Sequence, residues 1–299
     1  MWTKDNISDQ TGKTVIVTGG NAGIGFETAK ALYERGAHVL LACRDMEKAQ
    51  VAAETIKQQG GTGKIEVVLL DLSSLVSVKT FADEFTQKHA ELHLLINNAG
   101  IMTPPQAFTA EGYESQFGVN FLGHFALTGY LYQLLKKTKD SRIVTVTSLA
   151  YTNGTIDFDN LKSEKSYDAF REYCQSKLAD LLFTLELQRR ITAKGDGVLS
   201  LASHPGVTKT DLARHMSAEA IATAIERLGP LMESDQGALP SLYAAVSEDA
   251  EDGKLYGPDA DGGLRGYPAI NPIAENAYDE VVAKKLWEVA EAATGVVFP

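Results

Sequence analysis

The sequence predicts an α/β fold: a doubly wound parallel sheet, covered by helices on both faces, in a single domain spanning residues 1–299. Three observations point there. Short runs of β-branched residues or leucine alternate with amphipathic stretches along most of the chain. One such run feeds directly into a glycine-rich turn and a helix. No proline-rich linker, charge block or internal repeat divides the sequence. Parallel strands are buried on both faces and joined by right-handed helical crossovers, so this alternation implies an open, twisted sheet.

Lys13-Thr-Val-Ile-Val-Thr18 is β-branched and apolar, and reads as the first buried strand. It enters Gly19-Gly20-Asn21-Ala22-Gly23-Ile24-Gly25 and then an apolar-periodic helix over 24–35. Strand 37–42, helix 46–59, strand 64–70, helix 74–89 and strand 92–97 follow. A long helix is expected over 112–136, a strand over 142–148, a helix over 167–193 and a strand over 197–203. Two segments break the alternation. Residues 149–166, containing Asn153-Gly154 and Phe158, read as a loop beside the end of a strand. Residues 207–240 set Leu212, Met216, Ala220, Ala224 and Leu228 at steps of four, one face of a helix that is either core or a mobile cover over substrate. A last strand is expected near Lys254-Leu-Tyr256. Beyond it, in a C-terminal extension over 257–299, a segment rich in glycine and proline leads to a helix at about 275–293. That helix packs on the domain, forms a subunit contact or narrows the pocket.

Chemistry concentrates at two places. Tyr173 and Lys177 stand four residues apart inside the helix expected over 167–193, so a phenol and an ammonium share one face. A phenol with a pKa of about 10 is a poor proton donor or acceptor at neutral pH, and a nearby cation favours its ionised form. Near the N-terminus, Gly19, Gly23 and Gly25 lie between a strand and a helix. Glycines there permit a tight turn and close backbone approach to a pyrophosphate, while the helix N-terminus offers oriented N–H groups.

In chain order, Thr18-Gly-Gly-Asn-Ala-Gly-Ile-Gly25, Asn97-Asn98-Ala99-Gly100, Asn120, Ser148, Tyr173-x-x-x-Lys177 and Pro205-Gly206 resemble the short-chain dehydrogenase/reductase family over roughly residues 10–260. The TGxxxGxG spacing is similar to that of its single-domain oxidoreductase branch. Leu41-Ala-Cys-Arg44-Asp, His204-Pro-Gly-Val and the long gap between Ser148 and Tyr173 resemble the retinol dehydrogenase-like and protochlorophyllide reductase-like group. The resemblance implies a Rossmann fold and reversible hydride transfer between a nicotinamide and a carbonyl. It implies Tyr173 as general acid or base, with Lys177 lowering its pKa and holding the nicotinamide ribose. Ser148 would bond the carbonyl oxygen, and Asn120 would perturb its helix and link Lys177 to solvent through water. For the cofactor it implies Gly19, Asn21, Gly23, Ile24 and Gly25 at the dinucleotide turn, Asp71 and Leu72 beside the adenine, Asn98, Ala99 and Gly100 on the adenosine side, and Pro205, Gly206, Val207 and Thr208 near the carboxamide. Family members commonly pair through helices corresponding to 112–136 and 167–193, which implies a homo-oligomer.

Arg44 ends the second strand, 19 residues after Gly25. An acid at that point would bond the adenine ribose hydroxyls of NAD, whereas an arginine suits the 2′-phosphate of NADP. Asp45 follows it and could reach the same ribose, but its position suits the cap of helix 46–59. NADP is therefore the expected cofactor, with no metal: His89 and His93 straddle a helix and a strand edge and share no face.

A net charge of −11 argues against nucleic acid or an anionic membrane as a partner held by bulk charge. The polar opening Met1-Trp-Thr-Lys-Asp and the short apolar runs show no secretory signal or membrane span, so cytoplasmic residence is expected. Cys43 and Cys174 lie in different elements and read as buried free thiols. The expected activity is an NADPH-dependent carbonyl reductase or alcohol dehydrogenase acting on an apolar ketone, aldehyde or secondary alcohol. Ile101, Met102, Phe108, Leu149, Tyr151, Phe158, Leu212 and Met216 are expected around the substrate, with Lys209, Arg214 and His215 turned to solvent. A specialised retinoid-type reductase is the second reading. A regulator that binds NADPH without turnover is the third, opposed by the presence of Ser148, Tyr173 and Lys177 together.

Overall fold

The computed structural model describes all residues, Met1–Pro299. Its strands are β1 Thr14–Thr18, β2 His38–Cys43, β3 Lys64–Leu69, β4 Leu94–Asn97, β5 Arg142–Val146, β6 Leu199–Ser203, β7 Leu255–Ala260 and β8 Arg265–Asn271. Its helices are α1 Gly23–Glu34, α2 Met46–Gln58, α3 Leu75–Lys88, α4 Gly123–Lys137, α5 Ala169–Lys194, α6 Ala218–Leu228, α7 Ser234–Gly237, α8 Leu239–Val246 and α9 Glu280–Thr294. The strands form one sheet in the order β3-β2-β1-β4-β5-β6-β7-β8. Strands β1 to β7 pair in parallel, and β8 returns antiparallel to β7. The strand order reverses between β1 and β4, which opens a crevice at the carboxyl ends of the sheet.

Period-two alternation divides the core between the two faces. Ile16, Leu40, Leu95 and Ile143 point toward α3, α4, α5 and α9, with Phe121, Phe125, Phe183 and Trp287. Val15, Val17, Val39, Leu41, Leu94, Ile96 and Val144 point toward α1, α2 and α8. Each residue is buried because its neighbours in sequence face the other layer. Helix starts are set locally: Asp45, Ser74, Asp168 and Asp279 accept from backbone N–H groups at the N-caps of α2, α3, α5 and α9. Asp45 is thus the cap that its position suggested. No helix is long and apolar enough to cross a membrane.

Two expectations are corrected. The sheet is not wholly parallel, because residues 265–271 form β8, joined to β7 by a tight turn in which Asp261, Gly262 and Gly263 all have positive φ. A hairpin of this kind needs no crossover helix, so alternation gave no sign of it. The steps of four through 207–240 make no single helical face. Ser217 caps α6 and breaks the run, Leu212 sits in a separate 3₁₀ turn, and Ala238 onward belongs to the core under β5 to β7. Residues 207–209 pair with Met232, so only about residues 210–231 leave the fold as an excursion. Separately, the C-terminal helix and tail cover part of the faces of α4 and α5. Trp287 and Phe298 pack on Phe125, Phe183 and Tyr132, and a methyl added to Gly129 would meet Phe298 at 2.6 Å. Packing on the domain, one of the readings of the C-terminal helix, is observed.

Candidate active site

At the crevice, β1 ends in Thr18 and the chain turns through Gly19, whose φ is +65°. A methyl on Gly25 would sit 2.4 Å from Asn98 Nδ2 and 2.5 Å from Gly19 O, so only glycine closes this turn. Ala22, the N-cap of α1, makes no side-chain cap, which leaves the leading N–H groups of the helix free for an anion. These features fit a pyrophosphate cradle. A methyl added to Gly23 would lie 3.3 Å from Thr210 Cγ2, so the loop after β6 faces the turn.

Thr18 locks this end of the sheet. Its hydroxyl accepts from Asn98 N and Ala99 N, both at 2.9 Å, and its carbonyl accepts from Asn98 Nδ2 at 2.8 Å. His124 extends the lock to the next layer. His124 Nδ1 lies 2.7 Å from Asn120 O, which can only accept, so Nδ1 carries the proton. Burial pushes this imidazole down to about 4, and its neutral Nε2 accepts from the Thr18 hydroxyl at 2.9 Å.

Asn120 lies in a six-residue π turn, Phe117–Leu122, that leads into α4 within the long helix expected over 112–136. It is buried, not on a solvated face. Asn120 Oδ1 accepts from Ile101 N at 2.9 Å, and Nδ2 donates to Ile101 O at 3.0 Å and Ser176 Oγ at 2.9 Å. The side chain therefore ties the loop after β4 to α5.

Tyr173 and Lys177 occupy the inner face of α5, and both are buried. Lys177 Nζ donates to Val146 O at 2.9 Å and to Asp180 Oδ2 at 2.8 Å. Val146 ends β5, two residues before Ser148, whose hydroxyl caps the turn Leu149–Asn153 by accepting from Ala150 N at 3.2 Å. Burial pushes the Tyr173 phenol above its ordinary value; the Lys177 ammonium and the Ser148 hydroxyl act against that rise without reversing it. The ammonium acts in the expected direction, but desolvation is larger.

The remaining residues expected around a cofactor line the same edge. Arg44 is exposed at the end of β2 and makes no hydrogen bond or ion pair, whereas Asp45 is engaged with Lys48 N at 3.0 Å. Asp71 Oδ1 accepts from Ser73 N and Oγ, Leu72 is buried beneath, and Asn21, Ile24 and Gly100 are partly exposed. Pro205 to Thr208 are held by Thr208 Oγ1 donating to Pro205 O and Val207 N donating to Leu264 O. His204 supports this turn: Nδ1 accepts from Gly206 N at 3.2 Å and Nε2 donates to Asn271 Oδ1 at 2.9 Å.

Two residues expected to line the pocket do not. Tyr151 is buried and its hydroxyl accepts from Ala274 N, while the Phe158 ring lies under Lys285 of α9. Ile101, Met102, Leu149, Leu212 and Met216 are partly exposed, and Lys209, Arg214 and His215 are exposed as expected. Reading the sequence missed the roles of Thr18, His124 and Asp180, although His124 four residues after Asn120 and Asp180 three after Lys177 are helical neighbours by spacing. An open hollow of about 350 Å³ lined by Leu185, Gln188 and Arg189 lies farther along α5 and contains none of these residues.

Known proteins resemble this chain over most of its length. A family model described as short chain dehydrogenase matches residues 13–220. Retinol dehydrogenase 13 of Mus musculus is 45% identical over 293 residues, covering 95% of this chain and 84% of its own length. Retinol dehydrogenase 11 of Homo sapiens is 43% identical over 281 residues, covering 93% and 85%. A crystal structure of a protein from Mycobacterium Paratuberculosis covers 100% of this chain and 99% of its own, at 39% identity and a TM-score of 0.84.

Proposed function

We propose that this chain, which belongs to the short-chain dehydrogenase family, is an NADP-linked oxidoreductase that interconverts an apolar alcohol and its aldehyde or ketone. One observation carries the reading: a buried phenol, Tyr173, is grouped with the Lys177 ammonium and the Ser148 hydroxyl at the carboxyl edge of the sheet, where the glycine turn opens. The nicotinamide, when bound, supplies or accepts the hydride. In reduction Tyr173 delivers its proton to the carbonyl oxygen as the carbon gains hydride, and Ser148 donates a hydrogen bond to the same oxygen. A phenol held above its ordinary pKa stays protonated at neutral pH, which suits the reductive direction. The charge of Lys177 stabilises the phenolate left behind and its remaining N–H is available to the ribose.

Arg44 supports the choice of NADP. It is free of protein partners at the end of β2, and the neighbouring carboxylate is occupied as a helix cap. A charge-assisted bond to a 2′-phosphate contributes roughly 1.5–3 kcal/mol, about ten- to a hundredfold in affinity. A retinoid-type substrate is the second reading, favoured by 39–45% identity to proteins named retinol dehydrogenase. Cytosolic residence remains part of the proposal; both cysteines are free and buried, as suits a reducing compartment.

The test is a substrate panel followed by NADPH absorbance: an aryl ketone, a long-chain aldehyde, retinal, and a keto acid of similar size. We expect the apolar compounds to be reduced with much the higher kcat/KM, NADPH to be preferred over NADH, and Arg44→Ala to raise the KM for NADPH far more than for NADH. A strong preference for the keto acid, or equal use of both cofactors, would contradict the reading.

A further inference from the structure

Asp180 has no part in the mechanism above, yet it touches one of its central groups. It lies one turn beyond Lys177 on α5, with its carboxylate 2.8 Å from Lys177 Nζ and the two side chains 2% and 5% exposed. Lys177 also donates to Val146 O, so two of its three N–H bonds are directed into the protein. The other carboxylate oxygen, Oδ1, has no partner. Asn97 and Thr145, adjacent in the pairing of β4 with β5, follow the strand parity of Leu95 and Ile143 and so face this same helical layer. Both are neutral, so Lys177 alone balances the charge of Asp180.

Other ionisable groups near the pair are few. Tyr173 and Cys174 lie on α5 and His124 on α4. Strand β6 and the π turn carry none, and β5 carries only Arg142 at its opposite end, bonded to Ala244 O and Ser247 O. The turn over 149–153 carries Tyr151, already engaged with Ala274 N, and the 3₁₀ turn over 275–277 carries exposed Glu275. Helix α9 presents Ala283, Leu286, Trp287 and Ala290 inward and keeps Lys284, Lys285 and Glu288 exposed.

We propose that Asp180 is a positioning residue of the reaction: a buried counter-ion that keeps Lys177 charged and aligned beside Tyr173, and so governs how far into alkaline solution the Tyr173–Lys177 pair retains its protons. Without the carboxylate, a buried ammonium is driven toward its neutral form by desolvation. Where the ammonium stays charged, its unbalanced field makes the phenol ionise earlier. Both routes remove a proton needed for carbonyl reduction at lower pH. Burial pushes the Asp180 carboxyl itself up to about 7, against the pull of Lys177, so the counter-ion is fully formed on the alkaline side where the effect is read.

This inference rests on the reading of Tyr173 and Lys177 as the hydride-transfer site, and the test has two arms. The first is the pH profile of kcat/KM for NADPH-linked carbonyl reduction by Asp180→Asn. Its alkaline limb should fall to lower pH by about one to three units, the usual effect of one close charge. An unmoved limb in a folded variant overturns the proposal. The second needs no substrate: thermal unfolding of Asp180→Asn, Lys177→Met and the double variant. Asp180→Asn should lower the midpoint by several degrees in the native chain and by little or nothing when Lys177 is already methionine. Equal losses in both backgrounds overturn the pair. An unaltered chain that reduces no carbonyl compound while the cycle shows strong coupling would instead count against the proposed activity.

Discussion

Tyr173 shows how one residue can be recognised by spacing while its energetics come from the fold. Spacing from Lys177 is enough to pair the two groups on one helix face, but the direction of the phenol's shift is decided by burial under the π turn and β5. The consequence is a pH dependence of definite sign. Reduction needs the protonated phenol, so its rate should hold through neutral pH and fall as pH rises through the Tyr173 pKa. Oxidation of the alcohol needs the phenolate, so it should rise over the same range. Steady-state profiles in both directions check this; an oxidation optimum below the reduction optimum would contradict it. Asp180 illustrates the opposite case, a residue whose position relative to Lys177 is visible in the sequence but whose burial is not.

Among the elements, those with local signals were legible. The glycine turn, the alternating strands β1 to β6 and helices α1 to α5 all follow from patterns within about 30 residues, with boundaries shifted by a few positions. The elements that were missed depend on long-range partners. Strand β8 exists because β7 offers it an edge, and the 210–231 excursion is defined by pairing of residues 207–209 with Met232. The π turn at Asn120 likewise reflects bonds to Ile101 and Ser176. The glycine turn provides a test at this scale. Gly25→Ala would force a methyl against Asn98 Nδ2 and Gly19 O, displacing both walls of the cradle. We expect the variant to remain folded by circular dichroism and to bind NADPH at least tenfold more weakly by fluorescence titration. Unchanged affinity would show that the turn does not hold the pyrophosphate.

For the whole molecule, the C-terminal helix is the feature with most influence on assembly and stability. Trp287 is 2% exposed, meets Phe125 and Phe183 at ring-centroid distances of 5.0 and 5.8 Å, and seals the layer of α4 and α5. Trp287→Ala should cost about 3–5 kcal/mol, read from urea unfolding. With that layer closed, pairing through α4 and α5 is not expected, so any dimer seen by light scattering should survive changes on α4. A dimer abolished by changes on α4 would contradict this. Proton delivery by Tyr173 is open to a direct test: NADPH oxidation with the best apolar carbonyl substrate, run beside an NADPH titration for the native chain and Tyr173→Phe. In the variant, cofactor affinity should stay within about twofold while turnover falls about 10²–10⁴-fold, the usual contribution of a positioned acid. Near-normal turnover by Tyr173→Phe would remove Tyr173 from the reaction.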